Sequence, residues 1–481
     1  MNQGESAPVV QSQATLLRRV ELLERGVFDL RIRAGLIADI APVLAEENTD
    51  RVLDGGGNLL LPSLHEHHMH LFATAAAKSS VECGPPKVNN ARELAAALVA
   101  ATPGAGGWIR GTGFYDSVYP ELDRHWLDSV CPNTPVRIQH RTGMLWVFNS
   151  AGLALLSHTG QEPEGAERDR QGRLTGRFYN LDQWLAARLP SRWPDLTELS
   201  ANLAACGITH VTDTGVNNDE QVWQALHAAV AQRALRQSVL VMGQASLAEA
   251  SLPASTRLSL GPLKLYLREV ALPELEAFSG QIANSHTRQR PVAIHCATLV
   301  ELHFALAAFE MAGSITGDRV EHASVADDAA IEKLAGLGIT VVTQPNFIAE
   351  RGDYYLREVE PIDQPWLYRG QSFLKAGVPL ALGSDAPYGE IDPWAAMQAA
   401  VERTTLGGQV IGEGEQLTPH QALNLVGGSP LAPGSGLRDL AVGQMADLVL
   451  LDLPWRQLRR QFSRRHVRLT FSAGEFIYQR R

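Results

Sequence analysis

The chain has 481 residues, 45% hydrophobic and 20% charged, with 52 acidic against 42 basic side chains and a formal net charge of −10. That balance is too apolar for a disordered chain and lacks the basic surplus of a nucleic-acid binder. No apolar run approaches the ~18 residues of a membrane-spanning helix; the N-terminus is polar where a secretory signal is apolar; and the separated Cys83, Cys131, Cys206 and Cys296, with no CxxC, read as reduced thiols of a cytoplasmic protein.

Residues 14–61 predict short strands, VFDLRIRAGLIADIAP and then RVLDGGGNLLLP, punctuated by Gly35 and Gly55–Gly57. Residues 426–481 have the same character in ADLVLLDL and VRLTFSAGEFIYQRR. Two β-rich ends around a long middle suggest a small β domain built from both. The middle, 62–425, alternates strand and helix patterns. Its strand-like runs are LLLPSLHEHH (59–68), GITHVTDTG (207–215), LKLYLRE (263–269), VAIHCAT (292–298), DRVEHAS (318–324), ITVVTQ (339–344) and VPLALGSD (378–385). Helical LVELHFALAAFEMAG, ADDAAIEKLAGLG and PWAAMQAAVERTT fall among the later ones. This order predicts an α/β fold with a parallel sheet and enough units for a (β/α)8 barrel. An open doubly wound sheet would call for a glycine-rich turn after the first strand, which instead runs into histidines. Residues 85–200 interrupt the alternation and hold 11 of the 31 aromatics, among them Trp108, Phe114, Tyr115, Trp146, Phe148, Phe178 and Trp184. This aromatic-rich insertion is expected to pack over one end of the barrel.

Apolar runs end, one after another, in a metal-competent side chain: His68 and His70, His295, His322 and Asp385. The C-terminal strand ends of a βα barrel converge on one mouth, so ligands distant in sequence can meet there. His68 and His70 are two apart and share a strand face, while His65 and His67 have the other parity. Lys264 shares its face with Tyr266 and Arg268. A lysine aimed into an apolar barrel loses solvation, which lowers its pKa. A neutral amine can take up carbon dioxide as a carbamate, and that group could bridge two cations. Asp385 could bind an ion and also accept a proton from its water. Each residue alone has a plainer reading: a structural histidine, a salt-bridged lysine, a helix-capping aspartate. The six together, in an order that fits one mouth, favour a metal centre. Cys296 alternates away from His295 and reads as core.

LPSLHEHHMHL, LKLYL, VAIH, RVEHAS, VVTQP, GVPLALGSDAPYGEIDPWAAM and ADLVLLD resemble the metal-dependent amidohydrolase superfamily, in its YtcJ-like (amidohydrolase family 3) branch. The resemblance covers nearly the whole chain, including GWIRGTGFYD and RTGMLWVFNSAGL. It implies a distorted TIM barrel with a small β-sandwich from 14–61 and 426–481. It also implies His68 and His70 on one metal and His295 and His322 on a second. A carboxylated Lys264 would bridge them, with Asp385 as ligand and general base. Pro62-Ser63 stands where the family has Pro-Gly, Glu66 where it has Asp, and Val426-Gly427-Gly428-Ser429-Pro430 where it has a Thr-x-x-Pro-Ala element.

Trp146, Asn149, Gln344 and Tyr388 are candidates to touch substrate, with turn formation as the alternative for Gln344 and core packing for Tyr388 and Trp146. Arg141 and Arg177 could take an anionic group. The expected reaction is hydrolysis of a C–N bond (amide, cyclic amide or carbamate) in a small organic molecule by a metal-bound hydroxide. Ester hydrolysis, deamination and decarboxylation are alternative uses of the same site. No HxxE follows the fifth strand, which favours a two-metal hydrolase over a deaminase. A catalytically inactive interaction protein is a third reading. Imidazole and carboxylate accept Zn2+, Mn2+, Co2+ and Fe2+ alike; two Zn2+ are the expectation. The expected partner is a small-molecule substrate, with no nucleic acid and no membrane, and a homodimer is compatible with the sequence.

Overall fold

The structure is a computed structural model that describes residues 14–85, 87–156, 164–181, 184–185, 188–189 and 193–480. The polar residues 1–13 lie outside that range. Eight strands run parallel in chain order: β1 (Leu64–Met69), β2 (Ile208–Asp213), β3 (Ser238–Gly243), β4 (Leu258–Tyr266), β5 (Val292–Cys296), β6 (Arg319–His322), β7 (Thr340–Thr343) and β8 (Leu380–Leu382). Most are buried along nearly their whole length, as parallel strands covered on both faces must be. Helices between them begin at side-chain caps, including the Thr298–Glu301 capping box before Leu299–Ala312 and the Asp327 and Asp392 caps before Asp328–Leu337 and Pro393–Glu402. Because Asp392 caps the last of these, Asp385 does not. The barrel expectation holds. The β3 strand SVLVMG was not among the sequence-predicted strands; it ends in no metal-competent side chain.

The ring closes between β8 and β1 at an isolated parallel bridge, Met69 to Ala386. The Asp385 amide donates to the His68 carbonyl at 2.8 Å, and the His70 amide donates to Ala386 at 2.9 Å. Gly383 permits this approach: a Cβ there would stand 2.4 Å from the His68 Cβ and 2.7 Å from its backbone nitrogen.

Strands from both chain ends form one seven-stranded sheet. Its order is Glu475–Gln479, Val467–Ser472, Leu448–Leu451, Asp50–Pro62, Ala14–Leu22, Gly26–Arg33 and Leu36–Ala41. The ends meet where Leu448 pairs with Pro62. A bulge between Arg18 and Val20 falls opposite Gly55, where a side chain would collide with Val20. Leu17, Val20, Leu30, Ile32, Leu60, Leu450, Leu469 and Phe471 form its core. Asp50–Pro62 passes through Ser63 directly into β1, so the strand that joins the chain ends also delivers the histidines. Residues 14–70 and 197–480 together form one compact unit.

Leu71–Leu196 forms the second unit, which begins right after His70. Its six-stranded sheet has the order Ala166–Arg168, Leu174–Tyr179, Leu145–Phe148, Val136–His140, Ile109–Phe114 and Val81–Glu82. The aromatics serve its own core: Trp108, Trp146, Phe148 and Phe178 cluster together, with Phe148 5.4 Å from Phe178. Two residues expected to line a substrate pocket have packing roles here. Trp146 is buried with Arg110 and Arg137 over its ring. Asn149 is fully buried: its Nδ2 donates to the Cys131 and Thr134 carbonyls, both at 2.8 Å, and its Oδ1 accepts from the Val136 and Gly152 amides. Arg177 donates to the Leu122 carbonyl and the Tyr179 hydroxyl, and Arg141 lies 3.5 Å from the Tyr115 ring centre.

Gly383→Ala is expected to destabilise the protein by about 1–3 kcal/mol through overpacking at the β8–β1 closure. A lowered urea midpoint checks this, and an unchanged midpoint contradicts it.

Candidate metal centre

Strand ends place the site. His68 is the penultimate residue of β1, His322 the last of β6, and Asp385 follows β8. The ligand atoms of these three buried residues all lie within 4.8 Å of one another. Asp385 Oδ1 is 3.3 Å from His68 Nε2 and 3.5 Å from His70 Nε2. The His295 ring, on β5, is 4.5 Å from that of His322, which is 4.8 Å from that of His68. Four imidazoles and a carboxylate therefore form one chain of contacts. Lys264 sits on β4 with Ala293 of β5 as its register partner; its Nζ is buried and has no hydrogen-bond partner among the described residues.

Two of the three central residues hold uncommon backbone. His322 has φ of 74° and Asp385 of 55°, both left-handed without glycine. Such conformations cost on the order of 1–3 kcal/mol each and persist only where surroundings fix them. At Asp385 the fixing contact is the hydrogen bond that its backbone N–H donates to the His68 carbonyl. At His322 the twist has a visible consequence. Neighbouring strand residues normally point to opposite faces, yet Glu321 and His322 both reach His68.

Hydrogen bonds behind the ring orient the imidazoles. Glu321 meets His68 Nδ1 and is itself held by Arg319. Gln344, expected to touch substrate, is fully buried and accepts from His322 Nδ1 at 2.7 Å. Both contacts leave Nε2 for the centre, the usual task of groups behind metal-binding histidines. Glu66 Oε1 accepts from the His68 amide at 3.0 Å and the Ser384 amide at 2.9 Å, tying β1 to the end of β8. Its burial pushes the carboxyl up to about 7 against those two bonds. His65 and His67 serve packing instead. Their rings stack at 4.0 Å; His65 Nε2 pairs with the Thr212 hydroxyl and His67 Nε2 donates to the Gly427 carbonyl at 2.6 Å. Tyr388 stands edge-on to His70 at 5.9 Å, and its amide donates to the Asp385 carbonyl. Sequence reasoning missed Glu321 and the orienting role of Gln344. A glutamate inside the apolar VEH run was the available signal.

Burial lowers His322 to about 4 and His295 well below its ordinary value, so both imidazoles keep free lone pairs at neutral pH. Burial lowers Lys264 to about 8, against the upward pull of Glu321 and Asp385. Burial alone would raise Asp385, but hydrogen bonds from His68 and His70 hold it well below the carboxylate range. For His68, burial is outweighed by the Glu321 and Asp385 charges, which raise it. Neutral imidazoles beside an ionised carboxylate, with negative charge already favouring a cation at His68, make a donor set that fits a divalent metal ion.

Comparison with known proteins agrees with this chemistry. Residues 51–478 match the model of the amidohydrolase family. The chain is 27% identical over 463 residues to N-substituted formamide deformylase of Arthrobacter pascens, covering 83% of this chain and 84% of that one. It is 23% identical over 419 residues to the putative amidohydrolase YtcJ of Bacillus subtilis (strain 168), covering 77% and 78%. The crystal structure of an uncharacterized metal-dependent hydrolase from Pyrococcus horikoshii OT3 shares the fold, with a TM-score of 0.73 at 20% identity over 91% of this chain and 97% of that one. Among the described residues no helix is long and apolar enough to cross a membrane. The chain belongs to the amidohydrolase family and is, by that membership, a metal-dependent hydrolase acting on carbon–nitrogen bonds.

Proposed function

We propose that this chain hydrolyses the C–N bond of a small N-substituted amide at a centre of two divalent cations, zinc in the first instance, held by His68, His70, His295, His322, Lys264 and Asp385. The observation that carries the reading is the buried convergence of His68, His322 and Asp385, with His70 against the same carboxylate and His295 against His322. The name of the Arthrobacter pascens relative supports N-substituted formamides as the first compounds to try.

Divalent cations supply a polarising charge for the amide carbonyl and bring the pKa of water towards neutrality. The chain's own residues do the rest. Asp385, ionised between His68 and His70, accepts the proton of the attacking water at a carboxylate oxygen. As the new C–O bond forms and the C–N bond breaks, Asp385 returns that proton to the leaving nitrogen, so the products are a carboxylic acid and an amine. Glu321 and Gln344 hold His68 and His322 with Nε2 inward. Lys264, lowered to about 8 by burial, carries a fraction of neutral amine at physiological pH. That amine adds carbon dioxide, forming an N–C bond and releasing one proton, and the resulting carbamate carries the negative charge that a second cation needs.

Asp385→Asn is expected to keep bound metal while lowering turnover of N-formyl amines about 10²–10⁴-fold. Steady-state rates with matched metal content check this, and undiminished turnover rejects the assignment. Equilibration with 13C-bicarbonate is expected to give a carbamate carbon resonance in the wild type that is missing from Lys264→Met; two identical spectra would contradict the bridge. Removing metal with a chelator should abolish hydrolysis, and zinc, manganese or cobalt should restore it. Full activity in the metal-free protein would remove the basis of the reading.

A further inference from the structure

The two imidazoles that share the cluster with Asp385 have unlike partners. Behind His68 stands an ionised carboxylate, itself paired with Arg319: the His68 Nδ1 meets Glu321, and both side chains are buried. Arg319 fixes that carboxylate at both oxygens, Nε on Oε1 at 2.5 Å and Nη2 on Oε2 at 3.0 Å. Nη2 also reaches the His67 carbonyl at 2.8 Å, which anchors the guanidinium to β1 itself. Behind His322 stands a neutral amide: its Nδ1 donates to Gln344 Oε1 at 2.7 Å, and the Gln344 Nε2 faces the Val342 carbonyl at 3.4 Å. An anionic acceptor in a water-poor interior makes a stronger hydrogen bond than a neutral one, and it raises the basicity of the ring's other nitrogen. The two Nε2 atoms aimed at one centre are therefore donors of unequal strength.

We propose that Glu321 and Gln344 are positioning residues that make His68 the stronger, anchoring donor of the two-cation centre and His322 its weaker, exchangeable one. This rests on the metal-centre reading above. Arg319 completes the device by keeping Glu321 from turning away from His68. One side of the centre stays in place while the other can yield a coordination position.

Glu321→Gln keeps the size and an oxygen that can accept from Nδ1; it removes the charge and with it the ion-pair partner of Arg319, towards which the new amide NH2 turns. Gln344→Glu makes the reciprocal change behind His322. Cobalt affinity is read by competition with an absorbing chelator, and the visible spectrum of the cobalt protein reports its coordination. Glu321→Gln is expected to bind cobalt about 10–100-fold more weakly and to shift the visible bands. Gln344→Glu is expected to bind about tenfold more tightly. A folded Glu321→Gln protein with wild-type affinity and spectrum overturns the proposal. If loss of the Arg319 partner prevents that variant from folding, Gln344→Glu decides alone: unchanged or weaker affinity overturns the proposal, tighter affinity supports it. A wild type that binds no cobalt overturns the metal-centre reading and this proposal together. Binding by the wild type with equal binding by both variants overturns the proposal alone.

Discussion

The closure of β8 onto β1 is the contact on which the site depends. Three links make it: Asp385 amide to His68 carbonyl, His70 amide to Ala386 carbonyl, and the Glu66 carboxylate spanning the His68 and Ser384 amides. All three run through residues that either belong to the candidate ligand cluster or flank it. Gly383 makes the approach possible, because any side chain there would occupy the space of His68. The left-handed backbone at Asp385 is held by the same contact. Closing the barrel and aiming the carboxylate are thus one event, and errors in either would be felt in both.

Around that seam the protein keeps several ionisable groups out of water, among them Glu66, His68, Lys264, Arg319, Glu321, His322 and Asp385. Such groups are costly unless they are paired and hydrogen-bonded. Glu321 is satisfied by Arg319 and His68, Asp385 by His68 and His70. Lys264 is a buried amine with no hydrogen-bond partner among the described residues, a state shared by Arg319 Nη1 and by Nδ1 of His65 and of His67. Structural polar groups are rarely left so. The arrangement has the character of a centre built to receive positive charge: carboxylates fixed in advance, and His295 and His322 kept neutral by burial.

Much of this was legible in the sequence for a simple reason. Each barrel strand must be apolar because both faces are covered, so a polar residue at its end stands out. His68, His295, His322 and Asp385 were visible on that ground, and the parallel barrel followed from the spacing of the same runs. What stayed hidden was whatever depends on backbone angle or on a partner far away in sequence. Alternation puts Glu321 and His322 on opposite faces, yet with His322 at positive φ both meet His68. Gln344 looks like a turn or a substrate contact until His322 is seen against it. Trp146 and Asn149 show the converse problem. A pocket wall and a small core share one composition, and the second unit uses both residues for its core. The β3 strand has no metal-competent side chain at its end to mark it in the sequence.

Anomalous diffraction shows whether His68, His322 and Asp385 share a cation. Crystals equilibrated with zinc and measured on either side of its absorption edge are expected to show anomalous density within bonding distance of His68, His322 and Asp385. A map with no peak there, or with zinc bound only elsewhere on the chain, would contradict a shared cation.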